Sequence, residues 1–362
     1  MKRIIISILL VVVMISSILV GCGGKAAGND GNKKASEAKA SGTPIRVGLQ
    51  PTCLGAPVGY AYENGFYEDE GLNIELIYFD TGAPENEAFA AGQLDIAASG
   101  LASVFSLSSG KATWLSEINT TGGQGIYFRP DNPATKVTTT TENGDVILGN
   151  KETVKGMQFL ALLGTGSQYM VMNYCKNMGL EPDEYEIISM EFGPALQAFK
   201  AGEADALYCD FWYAIEAEDS GFIKAASFDE ACGIEANDGI FADTEYIKSH
   251  REDVVKFLRA TYKAVDELSD KETRHDFCLD WYTRNGREFT PKQMDKEIER
   301  RWFITGEMMG EEDYVMGEGV TKMAEFYVED GKIPKENFPN VQKSYDPSYL
   351  EEALGITVKY DK

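Results

Sequence analysis

The feature that most constrains the fold of this chain is a pair of matching segments, EAFAAGQLDIA at 87–97 and QAFKAGEADAL at 197–207. In each segment, alanines and a phenylalanine form one apolar helix face, which is followed by a glycine and then an aspartate. Gly92 and Gly202 predict helix ends, because glycine enters the left-handed conformation without strain. A helix that stops at glycine and leads into a strand is typical of an α/β sheet.

The sequence around the two segments repeats in the same order. Upstream of each segment, two apolar or alternating runs flank a helical pattern, so that both halves read strand, helix, strand, helix, strand. The predicted upstream strands are 45–49 and 73–79 in the first half, and 157–163 and 186–190 in the second. We therefore expect an α/β fold with two similar, internally duplicated lobes.

The last third of the chain is predicted to be a helical C-terminal extension. Ser249-x-x-Glu252 and Thr290-x-x-Gln293 match the capping-box pattern that begins a helix. We expect these helices to pack on the first lobe, so that the chain crosses between the lobes twice and forms a hinge with a cleft. The predicted division is 44–125 for the first part of lobe 1, 126–238 for lobe 2, and 239–362 for the return to lobe 1 and the C-terminal helices.

The N-terminus has the residue pattern of a secretory signal peptide. Lys2 and Arg3 precede an apolar run over 4–20, and the small residue Gly21 stands before Cys22. The segment resembles the lipobox of bacterial lipoproteins, which implies a signal peptide at 1–21, a lipidated Cys22, and a flexible tether over 22–43. The alternative, an uncleaved anchor helix, is less favoured because serines interrupt the run and a span needs about 20 apolar residues. We expect a secreted chain, anchored by lipid to the outer face of the cytoplasmic membrane.

Charge and residue counts argue against several kinds of partner and site. The net charge of −24 makes nucleic acid an unfavourable partner and requires any anion site to be local and sheltered. Excluding Cys22, five cysteines remain without a C-x-x-C spacing, and buried free thiols are the favoured interpretation. With two histidines and no G-x-S-x-G, we expect no metal, no cofactor and no catalytic residue. We also expect a monomer.

Two motifs carry a resemblance to a known family. Residues 65–76 read GFYEDEGLNIEL, and residues 91–97 read AGQLDIA. With these motifs the chain resembles the solute-binding proteins of ABC importers, in the group that takes nitrate, sulfonates, taurine and thiamine precursors. The resemblance implies a two-lobed periplasmic-binding-protein fold of type II, the venus flytrap, which closes on a solute and hands it to a permease driven by an ATPase subunit.

In the first lobe, the resemblance places candidate ligand residues in the loops that follow the strands. Ordinary turn chemistry explains any one of them equally well. The candidates are Gln50, Thr52 and Cys53 after the first strand, Thr81 and Gly82 after the second, Ser99 and Gly100 after the third, and Thr120 and Thr121 after a fourth strand predicted at 114–119.

In the second lobe, the run Gly164, Thr165, Gly166 and Ser167 lies between a predicted strand and its helix. Glycines let the backbone come close to a ligand, while Ser167 and the first free N–H groups of the helix are able to bind an oxyanion. The alternative role for Ser167 is to cap its own helix.

A second group of candidates favours a ligand of the opposite charge. Asp210, Trp212 and Tyr213 follow the strand that opens at Asp205, and an aromatic wall with a carboxylate suits a flat ring or an organic cation. Asp210 and Glu191 would repel a sulfonate or nitrate if they lined the pocket. The alternative is that Trp212 belongs to the core.

Together these patterns predict a non-enzymatic solute-binding protein of an ABC importer. A sulfonate-, nitrate- or taurine-like solute comes first, and a thiamine-precursor pyrimidine or another aromatic or cationic solute is the alternative. A secreted carboxylate-dependent hydrolase and a structural lipoprotein remain open as functions of another class.

Overall fold

The computed structural model describes residues 43–120, 122–235 and 237–361. The predictions for the signal peptide, Cys22 and Thr121, and for the tether up to residue 42, lie outside these residues. All described residues belong to one compact unit, 39–362. Within it, every helix is too short or too polar to cross a membrane.

The described part of the chain alternates strands and helices in its first two thirds and is mostly helical afterwards. Its strands are β1 (Ile45–Leu49), β2 (Ile74–Tyr78), β3 (Ile96–Ser99), β4 (Ala112–Thr120), β5 (Gly125–Phe128), β6 (Thr138–Thr140), β7 (Val146–Leu148), β8 (Gln158–Ala161), β9 (Glu186–Ser189), β10 (Ala206–Cys209), β11 (Ile223–Ser227) and β12 (Asn237–Asp243). Its α-helices are α1 (Ala56–Glu63), α2 (Phe66–Asp69), α3 (Gly82–Ala90), α4 (Val104–Ser108), α5 (Lys151–Val154), α6 (Gly166–Asn177), α7 (Phe192–Lys200), α8 (Phe211–Asp219), α9 (Phe228–Cys232), α10 (Thr244–Ser249), α11 (Arg251–Glu267), α12 (Lys271–Arg284), α13 (Pro291–Arg300), α14 (Gly306–Met309), α15 (Glu318–Glu329), α16 (Phe338–Gln342) and α17 (Ser348–Leu354).

Two five-stranded sheets have the same topology. The first sheet has the order β2-β1-β3-β12-β4, and the second has the order β9-β8-β10-β5-β11. In each sheet the first three strands are parallel, and the fourth runs antiparallel to both of its neighbours. The chain crosses between the sheets twice. It leaves the first sheet after β4 and enters the second at β5, and it returns from β11 of the second sheet to β12 of the first. This arrangement confirms the predicted α/β fold of the type II binding proteins.

The glycines of the repeat end helices as predicted. Helix α3 is followed by Gly92 with φ of 71°, and helix α7 by Gly202 with φ of 93°. Both lie in the left-handed region, where a Cβ would introduce strain. The repeated glycine is therefore required by the backbone at each helix end.

The aspartates of the repeat begin strands by the same contact in both sheets. Asp95 accepts a hydrogen bond at 2.8 Å from the backbone N–H of Arg46, which lies in β1. Asp205 accepts one at 2.9 Å from the backbone N–H of Gln158, which lies in β8. Asp95 thus holds β1 next to β3, and Asp205 holds β8 next to β10, so the repeated aspartate has the same structural role in both sheets.

The C-terminal helices contact both sheets' helices, whereas the sequence predicted packing on the first lobe. Helix α11 packs on α2, where the rings of Tyr67 and Phe257 stack at 5.0 Å. Helix α13 instead packs on α8, and Lys296 pairs with Asp219 at 2.6 Å. Helical periodicity predicts which face of α13 is apolar but not the helix on which that face packs.

One of the two predicted capping boxes is correct. The Thr290 hydroxyl accepts a hydrogen bond from the backbone N–H of Gln293, which completes the box at the start of α13. The prediction for Ser249 is wrong, since Ser249 is the last residue of α10 and its hydroxyl donates back to Glu245 O at 3.2 Å. Another helix directly precedes α11, so no side chain caps α11.

The cysteines of the described chain are free thiols. Four are buried, and Cys232 is half-buried: the buried ones are Cys53, Cys175, Cys209 and Cys278. They behave as small apolar residues of the core.

Candidate functional site

A cleft lies between the two sheets at the carboxyl ends of their parallel strands. Its volume is about 530 Å³, including the part open to solvent. Residues from the loops after β1, β2 and β3 line one wall, and residues from the loops after β8, β9 and β10 line the other. This is the place where open α/β sheets bind ligands.

Four of the candidates from the first lobe line this cleft: Gln50, Thr81, Gly82 and Gly100. Gly100 approaches a carboxylate closely, because a Cβ at this position would lie 2.7 Å from Asp238 Oδ1. The remaining candidates of these loops, Thr52, Cys53 and Ser99, are buried and do not line the cleft.

Four of the candidates from the second lobe also line the cleft: Thr165, Gly166, Ser167 and Asp210. Gly164 stands beside it, with its N–H donating to Gln168 Oε1 at 2.9 Å. The residue that caps α6 is Thr165, whose hydroxyl accepts from Ser167 N. The alternative capping role for Ser167 is therefore wrong.

The Ser167 hydroxyl forms hydrogen bonds with the backbone just after strand β8. It donates to Leu162 O at 2.7 Å and accepts from Leu162 N at 2.8 Å. Because the hydroxyl satisfies the backbone of Leu162, β8 ends at Ala161 rather than at the predicted residue 163. The Ser167 hydrogen is thus already donated within the protein.

Thr120 is placed away from the cleft. It lies beside a separate pocket with Gly122, Gly123 and Trp302, and its hydroxyl accepts from Trp302 N at 3.3 Å. The chain turns here between β4 and β5, and this turn directs Thr120 toward the C-terminal segment.

Glu191, Trp212 and Tyr213 line a second compartment that adjoins the cleft. Its volume is about 760 Å³, including open solvent, and it shares Thr81 and Phe192 with the cleft. Trp212 is 8 % exposed, so it both belongs to the core and forms part of this wall. We call this space the aromatic compartment.

Sequence reasoning missed two lining residues at the crossings between the sheets. Asp238 lies in β12 and Gln124 lies just before β5, and both line the cleft. Gln124 Oε1 accepts a hydrogen bond from Tyr208, a third missed residue of the lining. Asp238 and Gln124 could have been found from the sequence, because both lie next to the predicted crossings between the lobes. A segment that crosses between the lobes passes beside the cleft.

Asp210 forms a buried ion pair with an arginine from the C-terminal segment. Arg301 is 1 % exposed at its side chain and donates to Asp210 Oδ1, while its Nη1 lies 3.2 Å from Cys53 Sγ. Glu297 Oε1 lies 3.4 Å from Arg301 Nε. One guanidinium is therefore shared by two carboxylates, and Arg301 joins a loop of the first sheet to a loop of the second.

Asp238 is protonated at neutral pH in this environment. Burial raises its pKa to about 8, Arg301 opposes that shift, and the neighbouring carboxylates Asp210, Glu117 and Glu297 add to it. Asn119 Nδ2 donates to Asp238 Oδ2 at 2.8 Å, while Oδ1 lies on the side of Gly100.

Glu85 is a second buried carboxyl group beside the cleft. It lies on α3 and is fully buried. Burial raises its pKa to about 8, and the hydrogen bond from Gln50 Nε2 at 3.0 Å partly opposes the shift. Gln50 therefore connects this carboxyl group to the cleft.

Among the described residues, the cleft is lined by acidic but not by basic side chains. Within the described chain its lining contains the carboxyl groups of Asp210 and Asp238 and includes no Lys, Arg or His. The described residues also contain no group of three His, Cys, Asp or Glu arranged to hold a metal ion.

Two comparisons by sequence point to one family. The family model described as NMT1/THI5 like matches residues 55–272. A Brachyspira hyodysenteriae protein named as an ABC transporter periplasmic binding protein is 28% identical over 323 residues, covering 89% of this chain and 92% of its own length. A Bacillus subtilis protein named as an aliphatic sulfonates-binding protein is 24% identical, covering 71% of this chain and 72% of its own length.

Solved structures share the fold. The alkanesulfonate-binding protein SsuA from Xanthomonas axonopodis pv. citri superposes with a TM-score of 0.63 at 15% identity, over 84% of this chain and 99% of its own. The nitrate-binding protein NrtA from Synechocystis PCC 6803 gives 0.66 at 15% identity, over 86% and 88%. The desulfurization enzyme DSZB gives 0.58 at 13% identity, over 86% and 99%, so the fold also occurs in an enzyme. With a family model that matches residues 55–272, the chain belongs to the NMT1/THI5-like family.

Proposed function

We propose that this chain is the extracytoplasmic solute-binding component of an ABC importer. It captures a small organic solute in the cleft between the two sheets and delivers it to a permease that a separate ATPase subunit drives. Family membership, the type II fold and a cleft at the carboxyl ends of both sheets support this function. The two strand crossings supply the hinge that lobe closure requires.

The solute of this proposal carries a nitrogen that donates hydrogen bonds, such as an amine. The observation that carries it is the pair Asp210 and Asp238, which line the cleft from opposite sheets. A donor held between them is bound only when the two sheets approach, which couples binding to closure.

An oxyanion such as a sulfonate or nitrate is the second candidate. The N-terminus of α6 lines the cleft at Gly166, and two relatives are named for sulfonates and one for nitrate. A helix N-terminus attracts anions. However, the hydroxyl of Ser167 already donates to Leu162 O, so this hydroxyl has no hydrogen left to donate to an oxyanion.

The proposal includes the membrane attachment expected from the sequence. Cleavage before Cys22 and its lipidation would tether a monomeric body, with lobes at 44–125, 126–238 and 239–362, outside the cytoplasmic membrane. Metabolic labelling with a clickable palmitate tests this arrangement. Label on the wild type and its loss in Cys22→Ser are expected, and an unlabelled wild type would refute it.

The solute class is tested by thermal shift and calorimetry on two panels. One contains primary amines, and the other contains methanesulfonate, taurine and nitrate. Asp238→Asn keeps the hydrogen bond from Asn119 but removes the charge, and we expect it to weaken amine binding about tenfold or more. Glu75→Gln, an exposed carboxylate on β2, is the matched control and should bind as the wild type does. Saturable binding of sulfonate or nitrate without binding of amines would refute the proposal.

The pH dependence of amine binding follows from Asp238. Its pKa of about 8 means that the empty cleft holds a proton at pH 7, whereas an ammonium ligand favours the ionised carboxylate. Amine binding at pH 7 should therefore release protons, and affinity should rise as the pH approaches 8. Calorimetry in buffers of different ionisation enthalpy measures this release, which Asp238→Asn should reduce.

A further inference from the structure

A row of aromatic rings runs from the cleft into the aromatic compartment. Tyr208 lines the cleft, Phe192 lines both spaces, and Tyr213 and Trp212 line the compartment. Consecutive ring centroids lie 5.7 Å apart for Tyr208 and Phe192, 6.4 Å for Phe192 and Tyr213, and 4.4 Å for Tyr213 and Trp212. We call these four residues the aromatic row.

The two ends of the aromatic row differ in character. At the cleft end, Tyr208 neighbours Asp210, whose carboxylate raises the pKa of Tyr208 together with burial. At the outer end, the Arg287 guanidinium lies 5.0 Å from the Trp212 ring, and its Nη2 donates to Asp80 O at 2.9 Å. Arg287 thus covers Trp212 and closes the compartment against the first sheet, which leaves the half-buried rings of Phe192 and Tyr213 as its central wall.

The position of the Tyr213 ring depends on its neighbour in α7. A Cβ at Gly193 would lie 2.7 Å from the Tyr213 hydroxyl, so any other residue there would displace the ring. On the opposite side, Thr81 and Pro84 of the first sheet's loop line the compartment. The space therefore lies between an aromatic wall and a loop of the first sheet, and a flat ring is able to stack on that wall.

We propose that the bound solute is elongated, with its nitrogen head in the cleft and a flat aromatic ring against Phe192 and Tyr213 in the aromatic compartment. This inference rests on the proposed function, because the head group is the donor that Asp210 and Asp238 receive. It narrows the substrate class from amines in general to arylalkylamines and related ring-bearing amines. The shared residues Thr81 and Phe192 mark the passage that the linker between head and ring occupies.

The test uses three probes in calorimetry with the purified full-length protein in mild detergent. Benzylamine carries both parts, benzyl alcohol lacks the charged nitrogen, and cyclohexylmethylamine has a saturated ring of similar size. In the wild type, we expect benzylamine to bind about 2- to 10-fold more tightly than cyclohexylmethylamine, as ring–ring contact beyond burial predicts. It should also bind more tightly than benzyl alcohol.

Variants of Tyr213 assign this preference to the aromatic row. Tyr213→Leu should remove the advantage of benzylamine over cyclohexylmethylamine, while Tyr213→Phe should keep it. Tyr62→Leu, at a tyrosine that is 47 % exposed on α1, is the matched control and should also keep it. Melting temperatures show whether each variant is folded. The comparison of benzylamine with cyclohexylmethylamine on the wild type remains valid even if a variant does not fold.

The outcomes separate the inference from the function on which it rests. If both amines bind but benzylamine has no advantage, or if Tyr213→Leu leaves the advantage unchanged, the elongated ring-bearing solute is wrong and the amine site stands. If benzylamine binds no more tightly than benzyl alcohol, or neither amine binds, the nitrogen-donor solute itself is overturned.

Discussion

Replacing Glu85 by Gln removes a buried carboxyl group without changing its shape. Glu85 is fully buried, and burial raises its pKa from 4.5 to about 8, while Gln50 donates to it at 3.0 Å. Between these two pH values the folded state keeps a proton that the unfolded state releases. The free energy of unfolding of the wild type therefore falls as the pH rises from about 4.5 to about 8.

The magnitude follows from the size of the pKa shift. A shift of about 3.5 pH units, at about 1.4 kcal/mol for each unit, amounts to about 5 kcal/mol over the whole range. Glu85→Gln lacks this titration, so its free energy of unfolding relative to the wild type should increase by up to about that amount as the pH rises. Any constant cost of the amide affects all pH values equally and cancels from the slope.

Urea denaturation at several pH values measures the difference between the two proteins. Glu75→Gln, at an exposed position of β2, serves as the control for a lost carboxylate and should follow the wild-type profile closely. Parallel profiles for Glu85→Gln and the wild type between pH 5 and pH 8 would refute the assignment of a protonated, buried Glu85.

Three further substitutions test the packing around the cleft by the same denaturation assay. Arg301→Met leaves the carboxylate of Asp210 buried without its guanidinium and should cost about 3–5 kcal/mol, part of which Asp210→Asn should recover in the double variant. Thr165→Val removes the cap of α6 and should cost about 1 kcal/mol. Gly239→Ala would place a Cβ 2.2 Å from the Trp114 ring and should cost about 3 kcal/mol, and stability equal to the wild type would show that the β12–β4 contact relaxes freely.

Residues at strand ends could be predicted from the sequence, because their position depends on local pattern. Gln50, Thr81, Gly100 and Thr165 each follow a strand that periodicity indicates, and parallel strands bring their carboxyl ends to one edge. Thr120 was misplaced because the path of the chain after β4 depends on the C-terminal segment, which contacts it through Trp302. Local pattern contains no information about that contact.

The character of the ligand could not be predicted in the same way. The run from Gly164 to Ser167 suggested an oxyanion, yet the Ser167 hydroxyl serves the end of β8. Asp238 was overlooked, because candidates were sought in loops that follow strands, whereas Asp238 lies within β12. Its place opposite Asp210 emerges only when β12 is inserted between β3 and β4.

The sequence by itself determined the α/β class, the duplication and the edge of each sheet at which the cleft lies. These follow from helical and strand periodicity, from glycines that permit positive φ, and from the order of elements along the chain. Only the tertiary structure decided the charge of the cleft. Arg301 lies 91 residues from Asp210 and 248 residues from Cys53 in sequence, and it reaches both through the packing of the C-terminal helices. Contacts at such separations depend on how whole elements dock, and no local pattern specifies which side chains they bring together.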